Sequence, residues 1–304
     1  MPPPSSVVSA APRTEPRTLA PPARRTARVT GVERLGAYHL IEALDADGPP
    51  DPRPGQFYML AAADRWGGGG DERPYLPRAF SHARARDGRL SFLLEAIGPG
   101  TERLAELRDG DGLHLVGPLG IGWRAPEPDR RPLLVGGGIG AAPLLCLEDE
   151  LRGAPRDEWS IDRQIDGKRS TGAGDGYALL LGFRSGAHAE AASLFAAVPE
   201  LATDDGSTGH HGLVTDLLRQ ALDQETSATV YACGPPAMLE AVRALCAERD
   251  VPAQLALESG MACGYGACFG CVVPTKAGYI RLCVDGPVLD ADVLESALFP
   301  GAGH

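Results

Sequence analysis

The sequence predicts a multidomain protein: a six-stranded antiparallel β-barrel, then a doubly wound parallel α/β sheet, then a small cysteine-rich domain. Three observations predict it. Short apolar-rich or alternating runs crowd the stretch from Ala27 to Trp123, strand–helix alternation begins after Pro132, and four of the seven cysteines fall between Cys263 and Cys283. The chain has 304 residues, room for two domains of about 100–200 residues and a smaller third. The boundaries fall at 27–126, 127–257 and 258–304, with 1–26 as a tail.

The tail carries prolines at 2, 3, 4, 12, 16, 21 and 22 among Ala, Ser and Arg, a composition that buries too little to fold. It has no apolar run of the kind a secretory signal needs. The barrel strands are read at 27–35, 38–44, 56–61, 78–84, 90–97 and 112–116. Turn clusters such as Asp47-Gly48-Pro49-Pro50 and Asp109-Gly110-Asp111-Gly112 separate them, and one helical piece, 101–107, interrupts them. Gly67 to Gly70 reads as a flexible loop tip. In the α/β part, strands are expected at 132–135, 177–182, 229–233 and 253–257. Helices are expected from the glycine-rich turn to Leu151, at 213–222 and at 236–248. The polar, aperiodic stretch 153–176 reads as an inserted surface loop.

Charge excludes one class of function. With 29 Lys+Arg against 40 Asp+Glu, the net charge of −11 does not suit a nucleic-acid binder. No run of about 18 apolar residues is present, so no membrane span is expected. The cysteines are clustered rather than spread as a disulfide framework, which points to a reducing, cytoplasmic setting.

The cluster is the strongest chemical signal. Cys263-x4-Cys268-x2-Cys271, with Cys283 after eleven more residues, has the spacing of a plant-type [2Fe–2S] site. Three thiolates on one tight loop can wrap a small inorganic cluster while the fourth comes from elsewhere. Gly264, Gly266, Ala267 and Gly270 keep that loop free of bulk. Structural zinc is the alternative, but it favours paired C-x2-C knuckles. Two disulfides are the other, against the compartment. Cys146 and Cys246 sit in helical apolar patterns and read as core thiols. Cys233 ends a strand in Tyr231-Ala232-Cys233-Gly234-Pro235-Pro236, where open α/β sheets bind ligands. His210-His211 reads as a solvated turn.

Two nucleotide sites are expected. Gly136-Gly137-Gly138-Ile139-Gly140 joins a strand to a helix, and such turns let a pyrophosphate approach the backbone. Its spacing is not that of dehydrogenases, but with Cys233-Gly234-Pro235 it makes two loops on one sheet edge. In the barrel, Arg78-Ala79-Phe80-Ser81 and Gly98-Pro99-Gly100-Thr101 supply what a flavin pyrophosphate requires, a guanidinium, a hydroxyl and a glycine-rich helix start. A plain strand arginine and a helix cap are the alternatives. No Ser-His-Asp set or paired carboxylates mark a hydrolytic centre.

The order of these pieces resembles the ferredoxin–NADP reductase-like electron-transfer proteins, and among them the electron-transfer subunits of dihydroorotate dehydrogenase B. The resemblance runs from about Ala27 to Leu294. It is carried by Glu258-Ser259-Gly260-Met261-Ala262-Cys263-Gly264-Tyr265-Gly266-Ala267-Cys268 and by Cys283-Val284-Asp285-Gly286-Pro287-Val288. Thr203-Asp204-Asp205-Gly206-Ser207 and Gly212-Leu213-Val214-Thr215 are also similar to that family. It implies FAD contacts from Arg78, Ala79, Phe80, Ser81, Leu93, Leu94, Glu95, Gly100 and Thr101, and cluster ligation by Cys263, Cys268, Cys271 and Cys283. Ala79 departs from the family's usual proline, leaving the backbone there less preorganised.

The resemblance also implies the chemistry. An FMN-binding catalytic subunit would oxidise (S)-dihydroorotate to orotate in pyrimidine (UMP) synthesis, with electrons passing through the [2Fe–2S] cluster and FAD of this chain to NAD⁺. Two copies of each subunit would form a heterotetramer. Open alternatives are a diaphorase-type subunit of a hydrogenase or ferredoxin–NAD(P) transhydrogenase, and a flavin-free iron–sulfur scaffold. The loop Gly182-Phe183-Arg184-Ser185-Gly186 has one Arg and one Ser, and nearby Glu190 would repel a 2′-phosphate, so NAD is expected over NADP.

Overall fold

A computed structural model describes residues 23–49, 52–67, 74–127, 129–153, 176–225 and 227–302. Most of the expected tail, all but the ends of the expected insertion and most of the 67–70 loop tip lie outside them.

The first layer comprises β1 (Arg25–Leu35), β2 (Tyr38–Leu44), β3 (Phe57–Ala62), β4 (Arg78–Ser81), β5 (Arg84–Arg86), β6 (Arg89–Glu95), helix α1 (Pro99–Ala105) and β7 (Gly112–Leu119). These strands form one antiparallel sheet in the order β4-β3-β7-β1-β2-β6-β5. It has seven strands rather than the expected six, because the run 78–84 breaks after Ser81. There the chain leaves its partner β3, and the amide of Ala83 donates to the carbonyl of Ser91 on the far side of the sheet (2.8 Å). The two edge strands are thus joined by His82 and Ala83 alone, which requires the sheet to roll up on itself. β1 begins at Arg25, inside the expected tail. Its ladder with β7 starts at Arg25↔Leu115, and the Arg25 guanidinium donates to Asp45 (2.7 Å) and to the carbonyl of Gly117 (2.6 Å). Val29, Ile41, Tyr58, Leu60, Phe92, Leu94, Leu104 and Leu115 fill the interior. Alternation along each strand puts these residues on the inner face, where each fully buried side chain contributes about 1.5–3 kcal/mol.

The second layer begins with β8 (Arg131–Gly137) and α2 (Ala142–Leu151). It continues through β9 (Ala178–Phe183), α3 (Gly186–Ala189), β10 (Glu200–Thr203), β11 (His210–His211), α4 (Val214–Gln224), β12 (Ala228–Cys233), α5 (Pro236–Glu248) and β13 (Ala253–Ala256). The cysteine-rich block adds a hairpin of β14 (Val272–Thr275) and β15 (Gly278–Arg281), a turn of helix α6 (Leu282–Asp285) and β16 (Val288–Asp290). The sheet order is β11-β10-β9-β8-β12-β13-β16, parallel from β11 to β13. Leu133, Leu134 and Val135 are all buried, as are Val230, Tyr231 and Ala232, because helices cover both faces of a parallel sheet. β10 and β11 were not expected. They are short and bounded by Asp and Gly, so no hydrophobic run announces them, and His210 and His211 lie exposed in a strand rather than a turn.

The cysteine-rich block is not a free-standing unit. β16 pairs antiparallel with β13 on the edge of the α/β sheet, and Leu294, Ala297 and Phe299 enter the core formed by α4 and α5. The backbone amide of Ile121, just past β7, donates to the carbonyl of Gly286, so the block is also tied to the barrel.

Glu240 of α5 fastens the end of the chain. Its carboxylate accepts from the Arg243 guanidinium (2.6 Å), the Ala297 amide (2.6 Å) and the Ser296 hydroxyl (3.0 Å). The Arg243 bond, with the Ala297 and Ser296 donors behind it, holds the Glu240 carboxyl down at about 2. A depressed carboxyl stabilises the fold above its ordinary value near 4.5 and loses that contribution as pH falls through about 2. Glu240→Gln is therefore expected to destabilise the protein at pH 7 and to match the parent at the acid end, checked by urea melts across pH 2–7.

Candidate functional site

The thiols of Cys263, Cys268 and Cys271 stand on the loop between β13 and β14, and Cys283 meets them from α6. They fall into two pairs. The Cys263 thiol hydrogen-bonds the Cys268 side chain, and the Cys283 thiol that of Cys271, with no disulfide in either pair. Cys283 N–H donates to the Cys271 sulfur and Gly270 N–H to the Cys268 sulfur, each at 3.4 Å. Gly264 and Gly266 turn the loop at φ +80° and +85°, a region open mainly to glycine. A methyl on Gly264 would strike Met59 and Leu119 of the barrel, and one on Gly266 would strike Val284.

The electrostatics fit a thiolate centre. Burial pushes the Cys263 thiol up, but amides of Cys268, Tyr265 and Ala267 outweigh it and bring the group to about 7. Burial first, then the hydrogen bond and charge of the neighbouring Cys271, pushes the Cys283 thiol up to about 12. No set of three or more His, Cys, Asp or Glu side chains among the described residues converges as ligands of one metal ion. Four thiols grouped in two pairs are a donor set that can hold an iron–sulfur cluster. All seven cysteines are free thiols.

One strand separates this loop from the residues that the sequence marks as candidates for a flavin. Met59 of β3, which touches Gly264, lies directly across the ladder from Ala79 of β4. Ala79 is exposed, while Arg78, Phe80 and Ser81 are half-buried. The Arg78 guanidinium lies on Gly100, so that a Cβ there would sit 2.6 Å from its Nε, and its Nη1 donates to the carbonyl of Leu76 (2.6 Å). The structure thus brings together the arginine and the glycine-rich helix start that a flavin pyrophosphate needs, in a cradle any side chain on Gly100 would fill. Thr101 is used differently. Its hydroxyl accepts from the amides of Ile97 (3.0 Å) and Gly98 (3.2 Å), capping α1. Phe80 packs partly on the barrel core, and Leu93 and Leu94 are buried in the two cores on either side of β6. Only their main chain and the half-buried Glu95 side chain can face a ligand there.

On the α/β sheet, the two expected loops lie against each other. A methyl on Gly140 would collide with the backbone of Cys233 and Gly234, and one on Gly137 with Met238 and Pro235. Gly136 is buried one residue before the end of β8, Gly138 turns at φ +55°, and Ile139 packs partly buried beside it. Cys233 is buried, and burial together with the charge of Glu258 holds its thiol well above the usual range. Glu258, two residues past β13, keeps an exposed surface although protein atoms crowd around it, and that crowding raises its carboxyl.

Sequence reasoning missed Tyr38 and Met59 beside the site, because each reaches it from an element that carries no motif of its own; Glu258 stood in the quoted cysteine-block motif but was given no role. Tyr38 is buried on the barrel with its hydroxyl facing Gly138, and its ring meets His188 edge-on at 5.6 Å. His188 and Arg184 both point to Glu95 (3.4 and 3.9 Å).

Three comparisons bear on this arrangement. The family model of the iron-sulfur cluster binding domain of dihydroorotate dehydrogenase B matches residues 258–295. A protein of Clostridium acetobutylicum named dihydroorotate dehydrogenase B (NAD(+)), electron transfer subunit, is 34% identical over 252 residues, 82% of this chain and 88% of its own. One of the same name from Geobacillus kaustophilus is 37% identical over 248 residues, 79% of this chain and 85% of its own. The solved structure of an NADH-dependent reduced ferredoxin-NADP oxidoreductase aligns with a TM-score of 0.68 over 89% of this chain and 90% of its own, at 23% identity, which speaks to the fold. Identity at this level across most of both chains, with the cysteine block matched separately, makes this chain a member of the dihydroorotate dehydrogenase B electron transfer subunit family.

Proposed function

We propose that the chain carries electrons from a dihydroorotate-oxidising catalytic subunit to NAD⁺, with residues 27–126 holding FAD, 127–257 the nicotinamide and 258–304 a [2Fe–2S] cluster. The observation that carries this is the contact of Met59 with Gly264, which sets the paired thiols one strand away from the flavin motif. When bound, the cluster moves single electrons, NAD⁺ takes a hydride, and the flavin connects the two. The chain's part is positional. Cys263, Cys268, Cys271 and Cys283 ligate the cluster, Arg78 and the amides around Gly100 hold the flavin pyrophosphate, and Gly136–Gly140 with Cys233, Gly234 and Pro235 hold the nicotinamide nucleotide.

The cluster side presents Tyr265, Phe269 and Tyr279, which are 50%, 62% and 79% exposed. An exposed aromatic set around a redox loop suits docking of the FMN-containing subunit, and a two-plus-two heterotetramer follows from the family. No helix among the described residues is long and apolar enough to cross a membrane. Free thiols and a thiolate-held cluster fit the cytoplasm. Copurification with the catalytic subunit, followed by dihydroorotate-dependent NAD⁺ reduction, tests the whole reading. A complex that reduces NAD⁺ only from ferredoxin would replace it with a transhydrogenase role.

The same reading favours NADH over NADPH, though not for the reason read from sequence. Glu190 lies beside Gly36 in the β1–β2 turn, and Arg184 turns toward Glu95. Instead, the loop after β10 supplies the acidity. Asp204 and Asp205 are exposed there, Asp205 is held low by the Ser207 hydroxyl and amide, and Ser207 in turn accepts from the Gly186 amide (2.7 Å) beside β9. Carboxylates at that edge repel a 2′-phosphate. We expect kcat/KM for NADH to exceed that for NADPH by roughly tenfold, about 1.4 kcal/mol, in diaphorase assays. A ratio in favour of NADPH reverses the assignment.

A further inference from the structure

We infer that Arg281 is the charge that sets the reduction potential of the cysteine loop, an inference that rests on the cluster reading above. Arg281 ends β15, two residues before Cys283, yet its side chain reaches back into the loop that carries the other three cysteines. Its Nη1 donates to the carbonyl of Gly266 (3.0 Å), between Cys263 and Cys268. Its guanidinium carbon lies 5.2 Å from the centre of the Phe269 ring, beside Cys268. Its own amide donates to the Asp285 carboxylate (3.0 Å), which anchors the backbone on the other side of Cys283. The side chain is therefore held at two points of the loop, the Gly266 carbonyl and the Phe269 ring, its backbone is fixed by Asp285, and it is half-buried.

Phe269 supports this placement from its backbone. It stands at φ +59°, a conformation that costs a bulky side chain energy and persists only where neighbours hold it. The Arg281 guanidinium against its ring is such a neighbour, and an arginine over an aromatic face is favourable in itself. The planar guanidinium can bond the carbonyl and stack on the ring together.

The consequence is electrostatic. Four thiolates and bridging sulfides leave an iron–sulfur centre with a net negative charge, and reduction adds one electron with no bond broken. A fixed cation beside it stabilises the reduced form more than the oxidised one, and partial burial weakens the screening. Arg281 thus raises the potential of the centre and favours electron entry from the partner.

Two substitutions separate charge from clamp. Arg281→Gln keeps a donor for the Gly266 carbonyl without the charge, and Arg281→Lys keeps the charge without the planar stack. In the purified complex with its catalytic subunit, iron, sulfide and flavin are first quantified, then the cluster is titrated with an EPR readout. The expected result is full iron in both variants, a more negative midpoint potential for Arg281→Gln and a value near the parent's for Arg281→Lys. An unchanged potential in Arg281→Gln, equal shifts in both variants, or iron lost from both would overturn the inference in favour of a purely structural clamp. Absence of iron from the parent protein would instead strike the cluster reading itself.

Discussion

Cys268→Ser removes the visible iron–sulfur absorption and takes iron from about two atoms per chain to near zero, while FAD remains bound. A neutral serine hydroxyl cannot replace a thiolate on iron, and Cys268 is the most exposed of the four, so no packing holds a crippled cluster in place. The fold survives because Cys271 and Cys283 keep their buried places in the core shared with α4 and α5. The flavin survives because Arg78 and Gly100 lie across β3 from the loop. Metal analysis, the visible spectrum and flavin released by heat, all on one preparation, check the three statements together. Zinc without iron in the parent protein would remove the redox assignment of the loop.

Arg78→Ala loses FAD on dialysis where the parent keeps it. The guanidinium lies against Gly100, so it shares one cradle with the amides at the start of α1. Removing a charge-assisted bond to a pyrophosphate costs about 2–3 kcal/mol, or roughly 30- to 160-fold in affinity. Cluster iron stays constant in the variant, since no ligand of that loop comes from β4. Equal flavin retention in parent and variant would make Arg78 an ordinary strand residue, bonded only to the Leu76 carbonyl.

The two effects differ in how readily their residues could be seen. The cysteine loop was legible because its chemistry is local: three ligands within nine positions need a particular spacing whatever surrounds them. The Gly136–Gly140 turn and the strands on either side of it were legible for a similar reason, since a buried parallel strand must be apolar throughout and must end where the helix begins. The barrel strands followed from alternation, except where the chain changes partners. Nothing in Arg78-Ala79-Phe80-Ser81-His82-Ala83-Arg84 marks a break after Ser81, because both halves are extended and only the identity of the neighbouring strand changes.

By itself the sequence determined the order of the layers, the cysteine loop and the glycine turns, all of which depend on residues close together in the chain. The tertiary structure decided what lies between them. β16 abandons the cysteine block for the edge of the α/β sheet because Val288 and Leu294 find their apolar partners there. Met59 links the cysteine loop to β4, the strand proposed for the flavin, only because β3 pairs with β4 in the register that sets it opposite Ala79. Tyr38, Glu95 and His188 meet only where the barrel rests on the loops after β8 and β9. Such juxtapositions depend on side-chain packing between segments tens to hundreds of residues apart, and periodicity within a segment carries no record of its distant neighbour.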